Sequence, residues 1–271
     1  MNRLTAMAAM TAIAVSLAVV VGLSAGSSSA TEGSGGSFVP LAPTRIASTG
    51  ASPGFGRVSI SGTVQPNLSK FMPGQTRIIK VTGVGGVPAA NVGAVVIDVA
   101  GSSDADSRQY VYPGDESKNL ASLSLPASGE ARSTTIFVRP DADGYVAFTN
   151  EAGSTSLDVD VQGYFTKTST GAQTGGYVPT APKRIVTSTL TGGTTYSIQA
   201  GGWGAIPADA TAIYANVRAY AGTAVSGVRA VASSLTPSST TPALVNFEPG
   251  GVFDSGAAID LGPDGKFKLL S

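Results

Sequence analysis

The sequence has neither histidine nor cysteine among its 271 residues. Without histidine there is no Ser-His-Asp triad and no imidazole to act as a general base. Without cysteine there is no thiol nucleophile, no disulfide and no thiolate ligand for a structural zinc ion. We therefore expect a protein that is not an enzyme and that carries no metal and no other cofactor.

Charged residues are also scarce. They make up 13% of the chain, and 17 basic residues balance 17 acidic ones. A nucleic-acid surface needs a basic stripe, so we expect no nucleic-acid partner. Aromatic residues, at 7%, are few for a dedicated carbohydrate-binding surface. By contrast, 35 glycines, 16 prolines and a hydrophobic content of 42% are typical of a turn-rich all-β protein with a substantial core.

The N-terminal segment has the pattern of a secretory signal peptide over residues 1–30. Arg3 gives it a positive start, residues 6–23 are largely apolar, and Ser-Ser-Ala at 28–30 offers small residues for cleavage. The alternative is a membrane anchor, since the apolar run approaches the lower limit of about 17 residues for a span. We expect cleavage, which predicts a secreted protein without a membrane span, and a flexible start at residues 31–37.

An internal repeat divides the rest of the chain. Residues 38–46 (FVPLAPTRI) recur as 177–185 (YVPTAPKRI), and two further matches follow in the same order. The repeat predicts a first unit at 38–165, a Thr/Gly-rich linker at 166–176 and a second unit at 177–271. Its signature residues, expected to be structural, are Phe38, Pro40, Pro43, Arg45, Tyr177, Pro179, Pro182 and Arg184.

Short apolar alternations separated by turn signals run through both repeat units and predict β-strands. The Asp-Gly pairs at 143–144 and 264–265 predict tight hairpin turns, because glycine tolerates the positive φ that such turns require. The sequence shows no helical period of useful length. The predicted fold is all-β, with two antiparallel β-sandwich units in tandem after the signal peptide.

The second unit lacks a counterpart to the last predicted strand of the first. That strand contains the alternating segment at 157–161 (LDVDV), whereas the second unit stops at Ser271 soon after its own Asp-Gly pair. A sandwich without this strand leaves an open edge or groove. Either the second unit closes in another way, or it accepts a strand from another chain, as in donor-strand assembly. The remaining alternative is a truncated gene or a wrong alignment of the two units.

Carboxylates are the only acid-base groups left to consider. Asp158 and Asp160 share one face of a strand, where paired acids suit glycoside hydrolysis or simply form a polar outer face. The second interpretation needs only strand alternation, and we favour it. The segment 141–144 (DADG) resembles the start of a calcium loop but also suits a β-turn. Further acids in loop-rich stretches, where weak calcium binding is the alternative to a solvated loop, are Asp104, Asp106, Asp115 and Glu116.

Side chains suited to ligand binding are arginines and aromatic rings. Arg45 and Arg184 hold matching places in the repeat, where they bind an anion or, as we expect, tie the opening segment to an acid or to backbone carbonyls. Exposed rings are platforms for sugars, whereas buried rings fill β cores. The candidate ligand-binding rings are Tyr110, Tyr112, Trp203, Tyr214 and Tyr220.

These motifs together resemble a secreted actinobacterial β-domain that occurs alone, in tandem, or appended to cell-wall and polysaccharide hydrolases. The resemblance is carried by the aromatic-x-Pro-x-x-Pro-x-Arg openings, the segments 87–99 and 206–217, and the close at 160–165 (DVQGYF). The chain departs from the family after each opening, where Asp-Thr-Arg is usual. It also has Asp98 where asparagine is usual. The resemblance implies a non-catalytic accessory or surface module.

We therefore expect a secreted or cell-envelope-associated protein that acts in surface presentation, adhesion or scaffolding. Its expected partners are a cell-wall glycan or another surface protein, with strand addition at the edge of the second unit as a further mode. One alternative is a module that binds carbohydrate or cell-wall glycan. The other is a glycoside hydrolase that uses two carboxylates.

Overall fold

The structure is a computed structural model that describes residues 12–19, 36–51, 54–55, 57–58, 69–118, 120–167, 176–180, 182–220 and 222–271. All regular elements in these ranges are β-strands, and none of the described residues belongs to a helix that could cross a membrane. Most of the predicted signal peptide, flexible start and linker, at 1–11, 20–35 and 168–175, lies outside the described residues.

In the ranges that the structure describes, seventeen strands build four sheets. The N-terminal strand and those of the first unit are β1 (Ala12–Val19), β2 (Phe38–Ser48), β3 (Arg57–Val58), β4 (Thr76–Lys80), β5 (Val92–Ser103), β6 (Ser107–Pro113), β7 (Leu123–Leu125), β8 (Arg132–Val138), β9 (Tyr145–Asn150) and β10 (Thr155–Thr166). Those of the second unit are β11 (Lys183–Thr191), β12 (Thr195–Gln199), β13 (Ala212–Tyr220), β14 (Ser226–Ala232), β15 (Ala243–Phe247), β16 (Val252–Asp260) and β17 (Lys266–Leu270).

The first unit is a sandwich of two antiparallel sheets, with strand orders β2-β10-β5-β8 and β3-β4-β9-β6-β7. Strand alternation sends Leu157, Val159 and Val161 of β10 into the core, where they are no more than 1% exposed. The facing sheet contributes Phe148, which packs edge-on against Phe55. Each such side chain contributes about 1.5–3 kcal/mol on full burial, which is the main source of stability in a chain without disulfides.

The second unit repeats this arrangement. Its sheets have the orders β11-β1-β13-β16 and β12-β17-β14-β15, which match the first unit strand for strand apart from the short β3. A separate core forms between them around Val217, Phe247 and Phe267, all no more than 2% exposed. The predicted all-β fold of two sandwich units is confirmed.

The position that β10 fills in the first unit is filled in the second by β1. This strand lies between β11 and β13 and runs antiparallel to both. It comes from within the segment that the sequence predicts as a signal peptide. The sandwich that lacks its own last strand is thus completed by residues that precede both units in the chain.

The register of β1 copies that of β10. Leu17 lies opposite Val186 and Val217, as Val159 lies opposite Ala47 and Val99. At the next residue the pairing skips one residue of the neighbouring edge strand, which is β11 beside β1 and β2 beside β10. The two edge strands therefore have a bulge at the same place. The pairs that follow the skip are Ala18 with Arg184 and Asn216, and Asp160 with Arg45 and Asp98.

The two Asp-Gly pairs form turns, but the prediction that they close hairpins is wrong. Gly144 and Gly265 have the expected positive φ of 83° and 69°. However, the first turn joins β8 to β9 and the second joins β16 to β17, and in each case the two strands belong to opposite sheets. The turns therefore carry the chain across the sandwich, because the strands that they join do not pair with each other.

Candidate functional site

The two units meet along the outer faces of the sheets that contain β8 and β13, where aromatic rings pack together. Phe137 of β8 stacks on Tyr214 of β13, with ring centroids 3.8 Å apart and planes 3° from parallel. The ring centroid of Phe165 lies 4.5 Å from that of Tyr177, the first residue of the second repeat unit. Outward-facing Ala94 and Val96 of β5 are buried beneath these rings. An outer face that strand alternation would make polar is therefore apolar where the other unit covers it.

Polar contacts fix how the units are aligned. The Tyr214 hydroxyl donates to the carbonyl of Thr135. The Asn216 amide donates to the carbonyl of Ala121 at 2.9 Å. The backbone N–H of Gly256 donates to the Thr134 hydroxyl at 3.0 Å. Because hydrogen bonds are directional, these three contacts set one orientation of β13 and β16 against the first unit.

A cavity of about 290 Å³ opens beside this contact. It lies at the lower end of the size range of small-molecule pockets. Both units line it, and its wall combines aromatic rings with polar groups. The lining residues that bear on ligand chemistry are Tyr112, Asp115, Glu116, Arg139, Tyr214 and Asn216.

Some of the polar groups that line the cavity already bind each other. The Arg139 guanidinium binds Glu116 at 2.8 Å and Asp115 at 3.2 Å. The Asn216 carbonyl oxygen is buried and has no hydrogen-bond partner among the described residues. A small polar ligand with a hydroxyl or N–H group would satisfy that oxygen, because an unpaired buried acceptor is costly.

Burial controls the titration of the groups at the contact. It raises the pKa of the Tyr214 hydroxyl, and the negative charge of Asp98 adds to the effect. Burial and the neighbouring Tyr214 likewise raise the pKa of Tyr177. Burial and the nearby Asp160 carboxylate raise the pKa of Asp98 itself. Both phenols therefore stay protonated, and Tyr214 acts as a hydrogen-bond donor.

Two of the five candidate ligand-binding rings come together here. Tyr112 and Tyr214 both line the cavity, although each is below 10% exposed. Phe137 covers one face of Tyr214, and the Tyr112 hydroxyl lies 2.7 Å from that of Thr149. Neither ring thus presents an open platform for a sugar.

The other three candidates lie apart from the cavity wall. Tyr110 is half-buried on the same face of β6 as Tyr112, and its hydroxyl donates to Glu151 at 3.2 Å. Trp203 is half-buried against the second core. Tyr220 is half-buried at the end of β13. None of the five rings is fully exposed, so they do not form one binding face.

The paired carboxylates of β10 are held by Arg45. Its Nη1 lies 2.9 Å from Asp158, and its Nε and Nη2 lie 2.5 and 3.1 Å from the two oxygens of Asp160. This arrangement places one positive charge between the two carboxylates and ties the opening segment to the central strand. Arg184 holds the matching place in the second unit, and among the described residues it has no carboxylate partner.

The loop acids bind backbone N–H groups. Asp141 accepts from the N–H groups of Asp143 at 3.0 Å and Tyr145 at 2.7 Å, as in a turn. Asp104 accepts from Ser154 at 2.6 Å, and Asp106 from Ala127 at 2.8 Å. Within the described ranges, no three acidic side chains are grouped to hold a metal ion.

Sequence reasoning missed Phe137, Arg139 and Asn216 as site residues. The sequence signal that could have indicated the contact is the unbroken apolar run at 94–97. A strand with one solvated face would alternate apolar and polar residues there. Comparison with protein-family models finds no match to this chain, and comparison with curated proteins finds no significant match either. The resemblance drawn from the motifs therefore stays a sequence-based prediction.

Proposed function

We propose that the protein is an exported, non-catalytic scaffold of two β-sandwiches that presents binding surfaces at the cell envelope. The contact between the units supports this proposal most directly. The Phe137–Tyr214 stack and three directional hydrogen bonds hold the two sandwiches in one orientation. Units held in this way present their surfaces at one spacing, which is what a scaffold requires.

The state of the carboxylates supports the absence of catalysis. A glycoside hydrolase needs one acid to protonate the leaving group and another to act as nucleophile or base. Asp158 and Asp160 instead share a single arginine on the outer face of a sheet. Asp254 is fully buried and paired with Arg218 at 2.6 Å. These three acids stabilise the fold, and the two acids that do line the cavity, Asp115 and Glu116, both bind Arg139.

Export and the absence of turnover are tested together on protein secreted from a bacterial host. Mass spectrometry of the secreted chain should show an N-terminus at Thr31, and a secreted chain that keeps Met1 would contradict cleavage of the signal peptide. The secreted protein should release no sugar from cell-wall material or polysaccharides. Turnover that is lost on Asp158→Asn or Asp160→Asn would overturn the non-catalytic assignment.

A second candidate function is the binding of a small glycan fragment in the cavity between the units. It is favoured by one observation, the buried and unpartnered Asn216 carbonyl oxygen beside Arg139 and Tyr112. Calorimetry with cell-wall oligosaccharides should then show binding that Arg139→Ala weakens. Trp203→Ala is the control, because Trp203 is not among the residues that line the cavity. Equal binding by both variants would exclude the cavity.

A further inference from the structure

We infer that the second unit is an acceptor for a β-strand from a partner protein, at the position between β11 and β13. The partner strand would be extended and would alternate apolar with acidic residues. This position is called the acceptor slot below, and its walls are β11 and β13. Residues Ala12–Val19 occupy the slot in the full chain.

The first unit shows what such a slot accepts. There the equivalent position is held by β10, with Leu157, Val159 and Val161 buried and two acids between them. Since the second unit has the same strand order and the same bulge opposite its central strand, its slot imposes the same alternation. Main-chain hydrogen bonds on both sides supply affinity in this mode of recognition, and side-chain fit supplies specificity.

Charge complementarity identifies the acidic residues. Arg45 lies on β2, the strand of the first unit that corresponds to β11, and binds Asp158 and Asp160 of β10. Arg184 holds the same register on β11 and is exposed. It lies opposite Ala18, where β10 has Asp160. The slot therefore carries an arginine for a carboxylate that β1 does not supply.

The inference rests on the proposed export in one respect. Cleavage after residue 30 would remove β1 and leave the slot without its occupant. In the sandwich this would uncover the N–H and C=O groups of two strands and part of the second core. A partner strand that restores these contacts and also pairs with Arg184 would be a better fit than β1.

The test uses the full chain, folded first and then cut at a specific protease site placed within residues 31–35. A fluorescent peptide with the sequence of residues 155–166 is added, and anisotropy and mass spectrometry follow peptide binding and release of the N-terminal fragment. The control peptide carries Asp158→Ser and Asp160→Ala, which are the residues that β1 has at these positions. A third peptide carries Val159→Pro, which cannot pair as a central strand.

We expect binding of one acidic peptide per chain with release of the fragment, and no binding of the proline peptide. The acidic peptide should bind about twofold to fivefold more tightly than the Ser/Ala peptide, the range for an exposed ion pair. Arg184→Ala should abolish this difference, whereas Arg184→Lys should retain part of it. Arg45→Ala is the matched control and should leave the difference unchanged.

Retention of the fragment without peptide entry would overturn the inference, as would equal binding of the acidic and Ser/Ala peptides. Dimerisation of the cut protein that blocks the peptide would show that a second copy is the occupant and would also overturn it. A secreted chain that keeps Met1 would contradict signal-peptide cleavage alone, because the cut protein measures the slot independently of cleavage by the cell.

Discussion

Phe137 of the first unit and Tyr214 of the second stack face to face, with centroids 3.8 Å apart, and the Tyr214 hydroxyl donates to the carbonyl of Thr135. The Tyr214 side chain makes both contacts. Its ring packs against the first unit, and its hydroxyl sets the orientation of the two units through a directional hydrogen bond. This makes Tyr214 the most informative position for testing whether the units act as one body.

Tyr214→Ala should separate the units. We expect a loss of about 2–4 kcal/mol in the free energy of unfolding, since the change removes a buried ring and its stacking partner. Tyr214→Phe keeps the stack and loses one hydrogen bond, so its cost should be about 1 kcal/mol. Urea unfolding measures both, and X-ray scattering should show a wider range of inter-unit distances for Tyr214→Ala alone. Equal scattering from both variants would contradict a rigid contact.

Arg45→Ala and Arg184→Ala form a matched pair across the repeat. Arg45→Ala leaves Asp158 and Asp160 without their cation, and we expect a loss of about 1 kcal/mol because the pair is about 40% exposed. Arg184→Ala should change stability by less than about 0.5 kcal/mol. Thermal unfolding at low and high salt measures both, and the Arg45 effect should shrink as salt screens the charges. A larger loss of stability for Arg184→Ala than for Arg45→Ala would contradict the assignment of the ion pair to Arg45 and of a carboxylate-free position to Arg184.

Asp98→Asn copies the residue that the second unit has at Asn216. Burial and Asp160 raise the pKa of Asp98, so the folded state binds this proton more tightly than the unfolded chain. The stability of the native protein should therefore fall as pH rises from below the unfolded pKa, about 3.9, through the raised folded pKa.

At pH 7 the Asp98→Asn variant should be more stable than the native sequence, by up to about 1 kcal/mol because the group is only half-buried. At about pH 3 the two should be equally stable, since Asp98 is then protonated in both states. Urea unfolding across this pH range measures the difference, with Asp209→Asn in an exposed loop as the control. A difference that does not change with pH would contradict the assigned cause.

The absence of native cysteine allows a direct test of where β1 lies. Ser16 is opposite Thr187 on β11, and Ser188 is one residue out of register. In the full chain, Ser16→Cys with Thr187→Cys should form a disulfide under mild oxidation, because paired residues of antiparallel strands lie within reach. Ser16→Cys with Ser188→Cys should not, since Ser188 is the chain neighbour of the paired residue, and successive residues of a strand lie on opposite faces of a sheet. Peptide mapping by mass spectrometry identifies the bond, and bonding in the second pair alone would contradict the register.

Apolar alternation was sufficient to locate most strands, because a half-buried strand requires its pattern locally. The openings of both repeats were not predicted as strands, although β2 and β11 form there. Pro40 and Pro43 argue against a central strand, but both lie on β2, which is an edge strand of its sheet. An edge strand leaves one row of N–H groups unpaired, so it tolerates proline.

The composition of the site was only partly predictable. Tyr112 and Tyr214 were identified as aromatic candidates, but nothing in their local sequence shows that they line one cavity or that Phe137 covers one of them. The role of Arg45 in binding an acid was expected from its place in the repeat. Its pairing with the two acids of β10 required the register of strands that are more than 100 residues apart in sequence.

The sequence by itself determined the all-β class, the duplication and the absence of imidazole and thiol chemistry, because residue types and a period of two are local properties. Only the tertiary structure decided which strands pair, that the Asp-Gly turns cross between sheets, and that Ala12–Val19 completes the second sandwich. Strand pairing joins segments that are far apart in the chain, and a short apolar segment such as β1 carries no local signal of which two strands it will join. The choice among slots therefore depends on what the rest of the folded chain leaves open.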